Sequence, residues 1–252
     1  MMRPALAVVF LLAAAACVTA PARPPNASAP STLRKQLARS LLNRHEWATA
    51  SRPLLEEARL NPGDPEVHVL LAAVYREQGL YEESMTEYAT ALTLAPQSAE
   101  AYAGRGILRD VQGQFGEEAL ADFGRAIALE PRNPAHYNNL GFALYLRGRT
   151  IESVVALRQS LREDPAGRRA HNNLGFAYGQ LGHYSRARRE FERGGGTATV
   201  ENNLGVVLEE TSPREACDYF QTAAARDPKL EAPRTNIARA CSSSTSPKGS
   251  PP

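Results

Sequence analysis

Asn138-Asn139-Leu140-Gly141-Phe142-Ala143 recurs as Asn172-Asn173-Leu174-Gly175-Phe176-Ala177, and again as Asn202-Asn203-Leu204-Gly205-Val206-Val207. Three near-copies of one hexapeptide mark an internal repeat, and the repeat period decides the fold. The prolines that close each unit, Pro62, Pro96, Pro131, Pro165 and Pro228, lie 34, 35, 34 and 63 residues apart, the last interval spanning two units. Residues 65–98 show what one unit does. Leu71, Ala72 and Tyr75 recur at helical spacing and Gly79 ends that helix. Tyr81 opens the next, and Ser84, Tyr88 and Ala91 continue its apolar stripe until Pro96 stops it. Each unit is therefore predicted to be a helical hairpin.

Small residues (Ala72, Gly106, Gly141, Gly175, Gly205) fall where the paired helices must approach closely, and large ones (Tyr88, Phe123, Leu157, Phe191, Phe220) fill the gaps between units. These residues resemble the tetratricopeptide consensus over residues 31 to about 228, six units. The resemblance implies an all-α fold, a right-handed superhelical tetratricopeptide solenoid of about six helix-turn-helix repeats. Residues 229–241 are expected to add a capping helix, with Ile237 and Ala238 turned inward to cover the last apolar face. Residues 242–252, rich in Ser and Pro, read as a disordered tail.

Several departures from the pattern are informative. Unit 3 carries one extra residue, because Phe115 lies four before Ala119. Unit 5 lacks its closing proline and runs through Gly194-Gly195-Gly196 into unit 6 after about 30 residues. A phosphate-cradling loop would need a preceding strand and a Gly-Lys-Ser/Thr context, both missing here, so the glycine run reads as a tight turn. Unit 1 is degenerate, with Trp47 where other units have Tyr or Phe. That side chain is either packing or presented to a partner by a terminal unit.

The N-terminus reads as an export signal. Arg3 supplies one positive charge, and Pro4 to Ala16 is an apolar run of 13 residues, shorter than the roughly 20 a spanning helix needs. Ala13 to Ala16 are the small residues that signal peptidases require. Residues 1–16 thus resemble a bacterial lipoprotein signal, which implies lipidation of Cys17. The match departs from the usual pattern in having Ala14, not Leu, three residues before the cysteine. The alternative is cleavage by a soluble-protein peptidase near Val18-Thr19-Ala20. Lipidation is the preferred reading because residues 17–30, with Pro21, Pro24, Pro25 and Pro30, have the composition of an extended tether.

Composition excludes several classes. The chain of 252 residues is 43% hydrophobic, enough for a core without staples. Loss of Arg3 with the signal leaves 28 basic against 27 acidic residues, so no net field favours nucleic acid or an anionic membrane. The five histidines (His45, His68, His136, His171, His183) form no His-x-x-x-His or Glu-x-x-His pair, and neither Gly-x-Ser-x-Gly nor Cys-x-x-Cys occurs. No catalytic residue, metal site, cofactor or small-molecule substrate is expected.

What remains is a surface and two cysteines. Asn139, Asn173 and Asn203 share position six of their first helices, a position that the tetratricopeptide resemblance places on the inner face of the superhelix. An amide both donates and accepts, so a ladder of asparagines can grip the backbone of an extended peptide whatever its sequence. The alternative is that the asparagines bond to neighbouring helix ends. The groove is preferred because asparagine is a poor interior helix former and three in register need a reason. The apolar surface of units 1 and 2 around Trp47 and Leu70 is the other candidate for binding. Cys217 lies 12 residues before a turn near Lys229 and Cys241 12 after it, so an antiparallel helix pair would set them level for a disulfide. Two buried free thiols are the alternative.

An exported lipoprotein built almost entirely of such repeats resembles the pilotins of type IV pili (the PilF, PilW and Tgl group) and the TadD lipoproteins of tight-adherence pili. The resemblance implies a site on the periplasmic face of the outer membrane, a membrane contact through the lipid anchor, and a protein partner, a secretin, whose assembly the chain promotes. Val18 fits, since it is not the aspartate that retains many lipoproteins in the inner membrane. Two further readings stay open: an adaptor for envelope hydrolases or cell-wall machinery, and a substrate-binding subunit of an envelope enzyme complex.

Overall fold

The computed structural model describes residues 30–241. Cys17, the expected signal and almost all of the expected tether, together with the tail 242–252, lie outside the described residues. The described residues form thirteen helices and no strand. Twelve pair as hairpins: α1 (Ser31–Asn43) with α2 (Trp47–Leu60), α3 (Pro65–Glu77) with α4 (Tyr81–Leu94), α5 (Ala99–Val111) with α6 (Glu117–Leu129), α7 (Pro134–Leu146) with α8 (Thr150–Glu163), α9 (Arg168–Gln180) with α10 (Tyr184–Gly194), and α11 (Thr197–Leu208) with α12 (Pro213–Arg226). Helix α13 (Glu231–Ala240) packs on α11 and α12. The protein is an all-α tetratricopeptide-repeat solenoid.

Local chemistry sets each hairpin. Asp64, Ser98 and Asn133 cap α3, α5 and α7 by accepting from the backbone N–H groups of Glu66, Ala101 and Ala135. The first helices of units 2 to 5 end at Gly79, Gly113, Gly148 and Gly182, all in the left-handed region at φ 71 to 77°. There Leu80, Gln114, Arg149 and His183 each donate back to the carbonyl five residues earlier, closing the turn. His45 occupies the same place in unit 1 at φ 61°, with its ring edge-on to Trp47 at 5.0 Å. The extra residue of unit 3 falls in its turn, which runs from Gln112 to Gly116.

Packing follows the small-on-large alternation. Tyr88, Phe123, Leu157, Phe191 and Phe220 are all fully buried. In units 3 to 6 the large side chain lies against its own unit's glycine so closely that a Cβ at Gly106, Gly141, Gly175 or Gly205 would overlap it. Burial pushes the Tyr88 phenol up to about 12. Two expectations about the ends are corrected. In α13 the inward stripe is Pro233, Ile237 and Ala240, while Ala238 is exposed, because it lies one residue, about 100° of helix, off that stripe. Leu70 is 2% exposed within the core shared by α1, α2 and α3, so it offers no surface to a partner.

The histidines are placed less randomly than they read. His68 bonds Glu87 at 2.6 Å and the Pro62 carbonyl at 2.9 Å. His171 repeats the arrangement with Glu190 at 2.7 Å and Pro165 at 3.0 Å. Tyr137 takes the same place in unit 4, donating to the Pro131 carbonyl at 3.0 Å. Each clip holds the turn between two units. Burial opposes charging of His68, but the Glu87 hydrogen bond and the Pro62 carbonyl outweigh it and hold the imidazole above its usual value. A histidine raised in the folded state gives stability that is complete below its ordinary, unfolded value of about 6.5 and is lost as pH rises through the folded one. Thermal melts at a series of pH values from about 6 to 8 should therefore show Tm falling with pH in the wild type and falling less steeply in His68→Gln. Parallel slopes would remove His68 as the cause.

Candidate functional site: the concave face

Successive first helices touch one another, α1 with α3, α3 with α5, and so on to α11 with α13. The second helices of the described residues do not approach one another as closely; α10 and α12 meet only through side chains, Arg188 donating to the Tyr219 hydroxyl at 2.8 Å. The first helices therefore follow the shorter inner arc and form the concave face, while the second helices splay on the outer arc. At the N-terminal end this face is closed by charge. Lys35 reaches Asp64 at 2.8 Å and Glu66 at 2.6 Å, and Arg39 bridges Glu66 at 3.0 Å and Glu100 at 3.3 Å, tying units 1, 2 and 3 together. Those two acceptors hold the Lys35 ammonium above its usual value.

From unit 3 onward the face opens. Asn138, Asn139, Phe142, Arg169, Asn172 and Asn173 line a hollow of about 260 Å³. It adjoins a more apolar one of about 300 Å³ whose walls include Ile107, Val111, Phe142 and Leu146. Phe142 serves both, is 41% exposed, and stacks on Tyr145 with ring centroids 6.3 Å apart. Further along, Tyr145, Phe176, Tyr184 and Val206 meet Glu209 and Glu210 in a hollow of about 850 Å³. Burial, then the Glu210 carboxylate, pushes the Tyr145 phenol above its usual value. The concave face of units 3 to 6 is thus an apolar, partly aromatic channel edged by amides and carboxylates.

The asparagines divide their capacity. Asn173 donates to Asn138 Oδ1 at 3.0 Å, and Asn236 of α13 donates to Asn202 Oδ1 at 2.9 Å. In both cases position six of one first helix donates to position five of the one before, with α13 standing in for a seventh. The link from Asn203 to Asn172 is absent: the Asn172 amide donates instead to the Gly194 carbonyl at 3.4 Å, and its Oδ1 is buried without a partner. The Asn139 amide nitrogen and the Asn173 side-chain oxygen have no hydrogen-bond partner among the described residues and border the 260 Å³ hollow. Asn203 is only 8% exposed. The three position-six residues therefore differ: Asn139 and Asn173 have one free group each at the channel, and Asn203 has little surface to give.

Sequence reasoning passed over the aromatic stripe. Phe142, Phe176 and Val206 stand at position nine of the hexapeptide-bearing helices, directly after the glycine that receives the packing residue. The signal was a large apolar residue on a helix whose buried stripe was already complete. Cys217 and Cys241 are joined in a disulfide between α12 and the residue after α13, with Cα atoms 5.3 Å apart. Among the described residues there is no cluster of three or more His, Cys, Asp or Glu able to hold a metal, and no helix long and apolar enough to cross a membrane.

The repeats of this solenoid are tetratricopeptide repeats: family models described as TPR repeat or tetratricopeptide repeat match residues 72–109, 111–148, 135–162 and 169–194. Among solved structures the chain is similar to PilF of Pseudomonas aeruginosa, with TM-score 0.64 and 20% identity over 83% of this chain and 97% of that one. It is also similar to a tetratricopeptide repeat protein from Parabacteroides merdae, with TM-score 0.65 and 18% identity over 86% of this chain and 87% of the other. At these identities the likeness shows the fold. A TPR repeat-containing thioredoxin, TTL4 of Arabidopsis thaliana, is 44% identical over 72 residues, which are 29% of this chain and 11% of that protein. The chain thus spans about a tenth of the length of that relative.

Proposed function

We propose that this chain is a non-enzymatic, protein-binding scaffold of the bacterial envelope. In this reading it is anchored through a lipid on Cys17 at the periplasmic face of the outer membrane, and it acts as a pilotin-like factor that brings secretin subunits to that membrane. The observation that carries the reading is the open channel on the concave face of units 3 to 6, where Asn139 and Asn173 offer a free donor and acceptor beside Phe142. An extended segment laid there exchanges backbone hydrogen bonds with the amides and seats alternate side chains on the apolar floor. The likeness to PilF over 83% of this chain and 97% of that one supports the assignment. The Cys217–Cys241 disulfide supports an oxidising compartment.

The test is the level of heat- and detergent-resistant secretin multimer in outer membranes of a strain deleted for the chain. The expected result is loss of multimer, restored by the wild type and not by Cys17→Ala. Normal multimer in the deletion strain would remove the pilotin assignment and move the weight to the hydrolase-adaptor reading. Within the rescue series, Asn139→Ala/Asn173→Ala should weaken multimer formation more than Asn203→Ala, because only the first two border the channel. Alanine at these positions favours the helix, so a loss would report binding and not unfolding.

A further inference from the structure

The outer face of α8 has features that neither the packing nor the concave channel uses. Ile151, Val155, Arg158 and Arg162 stand at i, i+4, i+7 and i+11 and so form one stripe along its solvent side. The first two are 72% and 63% exposed, more than any other large hydrophobic residue of the described chain. On one side of α8, Tyr137, Leu140 and Leu144 floor a groove of about 620 Å³ beneath Ile151 and Val155. On the other side, between α8 and α10, lies a groove of about 930 Å³ with Leu174 and Tyr178 in its lining and Arg158, Arg162, Arg186 and Arg193 around it.

That second groove has an excess of positive charge. Arg193 pairs with Glu190 at 3.1 Å, and Glu190 is already held by His171. Arg162 donates to the neutral Gln159 amide, and Arg186 lies over the Tyr178 ring at 5.7 Å. Arg158, Arg162 and Arg186 make no ion pair with any described residue. Three guanidinium groups facing one groove repel one another, and an anionic occupant relieves that repulsion.

We infer that the outer face of α8 is a second docking surface, for an amphipathic acidic segment of a protein partner. The apolar residues of that segment cover Ile151 and Val155 while its carboxylates meet Arg158, Arg162 and Arg186. Charge complementarity names the acidic half of the occupant and the exposed aliphatic pair names the apolar half. A flat anionic bilayer would leave both hollows, of about 620 and 930 Å³, unfilled. The surface is independent of the concave channel and stands whether or not the partner there is a secretin.

The probe is a fluorescein-labelled helical peptide with leucines at i, i+4 spacing in one half and glutamates at i, i+4 spacing in the other. It is titrated by fluorescence anisotropy into the full chain in neutral detergent micelles at low salt. Binding at least tenfold tighter than that of the same peptide with lysines for glutamates is expected. Arg158→Glu/Arg162→Glu and Ile151→Ser/Val155→Ser should each weaken it at least tenfold, with unchanged melting temperature, whereas Phe142→Asp on the concave face should leave it unchanged. Arg52→Glu/Arg59→Glu, a charge reversal at exposed positions of unit 1, should change it less than twofold. No preference for the acidic peptide, or an equal loss in the distant reversal or in Phe142→Asp, would overturn the assignment. So would displacement of the peptide when the micelles are doped with phosphatidylglycerol, which would give the face to lipid.

Discussion

Replacing Glu57 with alanine is expected to cost about 3–5 kcal/mol, enough to unravel the N-terminal unit while the rest of the solenoid stays folded. Glu57 is fully buried, and its carboxylate accepts from Arg34, itself 7% exposed at the side chain, and from Asn61. Burial works against the charged form, yet hydrogen bonds from Ser31, Arg34 and Asn61 outweigh it and hold the carboxyl below the usual range. The alanine variant leaves the Arg34 guanidinium buried opposite a void. Because unit 1 packs on unit 2 and reaches beyond it only through the exposed Arg39–Glu100 pair, the loss should be local. Hydrogen exchange should speed up over residues 31–60 and change little beyond unit 2. Arg34→Met/Glu57→Leu, which removes both charges and keeps the volume, should recover most of the loss. Global unfolding, or a double variant as weak as the single one, would contradict this account of unit 1.

Phe191→Ala is expected to cost a similar amount, about 3–5 kcal/mol, through the cavity it opens. The ring is fully buried against Gly175 and meets Phe176 edge-on at 5.0 Å, in a core completed by Ala187, Val200 and Leu204. Backbone on the glycine side is too close to collapse into the space, so the void persists. Unit 4 supplies an internal control, because there Leu157 fills the equivalent place over Gly141. Phe191→Leu should accordingly cost no more than about 1.5 kcal/mol. Urea unfolding at fixed m-value reads both. A cost for Phe191→Ala below about 1 kcal/mol would mean that this interface repacks. Since Phe176 and Val206 line the channel beside this core, the alanine variant should also lose partner binding, whereas the leucine variant should keep it.

These two sites differ in how far the sequence disclosed them. The place of Phe191 was legible, because Gly175 and Phe191 lie 16 residues apart, the same spacing as Gly141 and Leu157, and a packed hairpin imposes such a pairing. Arg34 and Glu57 were not legible, because unit 1 is degenerate and charged residues at helical spacing ordinarily read as solvated. The His68–Glu87 and His171–Glu190 clips share a separation of 19 residues, but that signal becomes visible only once the units are aligned on their turns. The register of the asparagines was visible in the sequence as a repeat. Their division of labour was not readable, because it depends on α13 bringing Asn236 to Asn202 and on the Gly194 carbonyl drawing away Asn172. Ala238 and Leu70 were misplaced for a plainer reason: a short apolar stretch does not reveal its face until its neighbours are known.

The central claim is that the concave channel of units 3 to 6 holds a segment of the partner. A photoreactive p-benzoylphenylalanine in place of Phe142, in the lipid-anchored chain in living cells, tests it most directly, with the same group in place of exposed Thr86 on α4 as comparison. Illumination should join the Phe142 position to a secretin subunit and leave the Thr86 position without that adduct. A secretin adduct from Thr86 alone, or from neither position, would contradict the account.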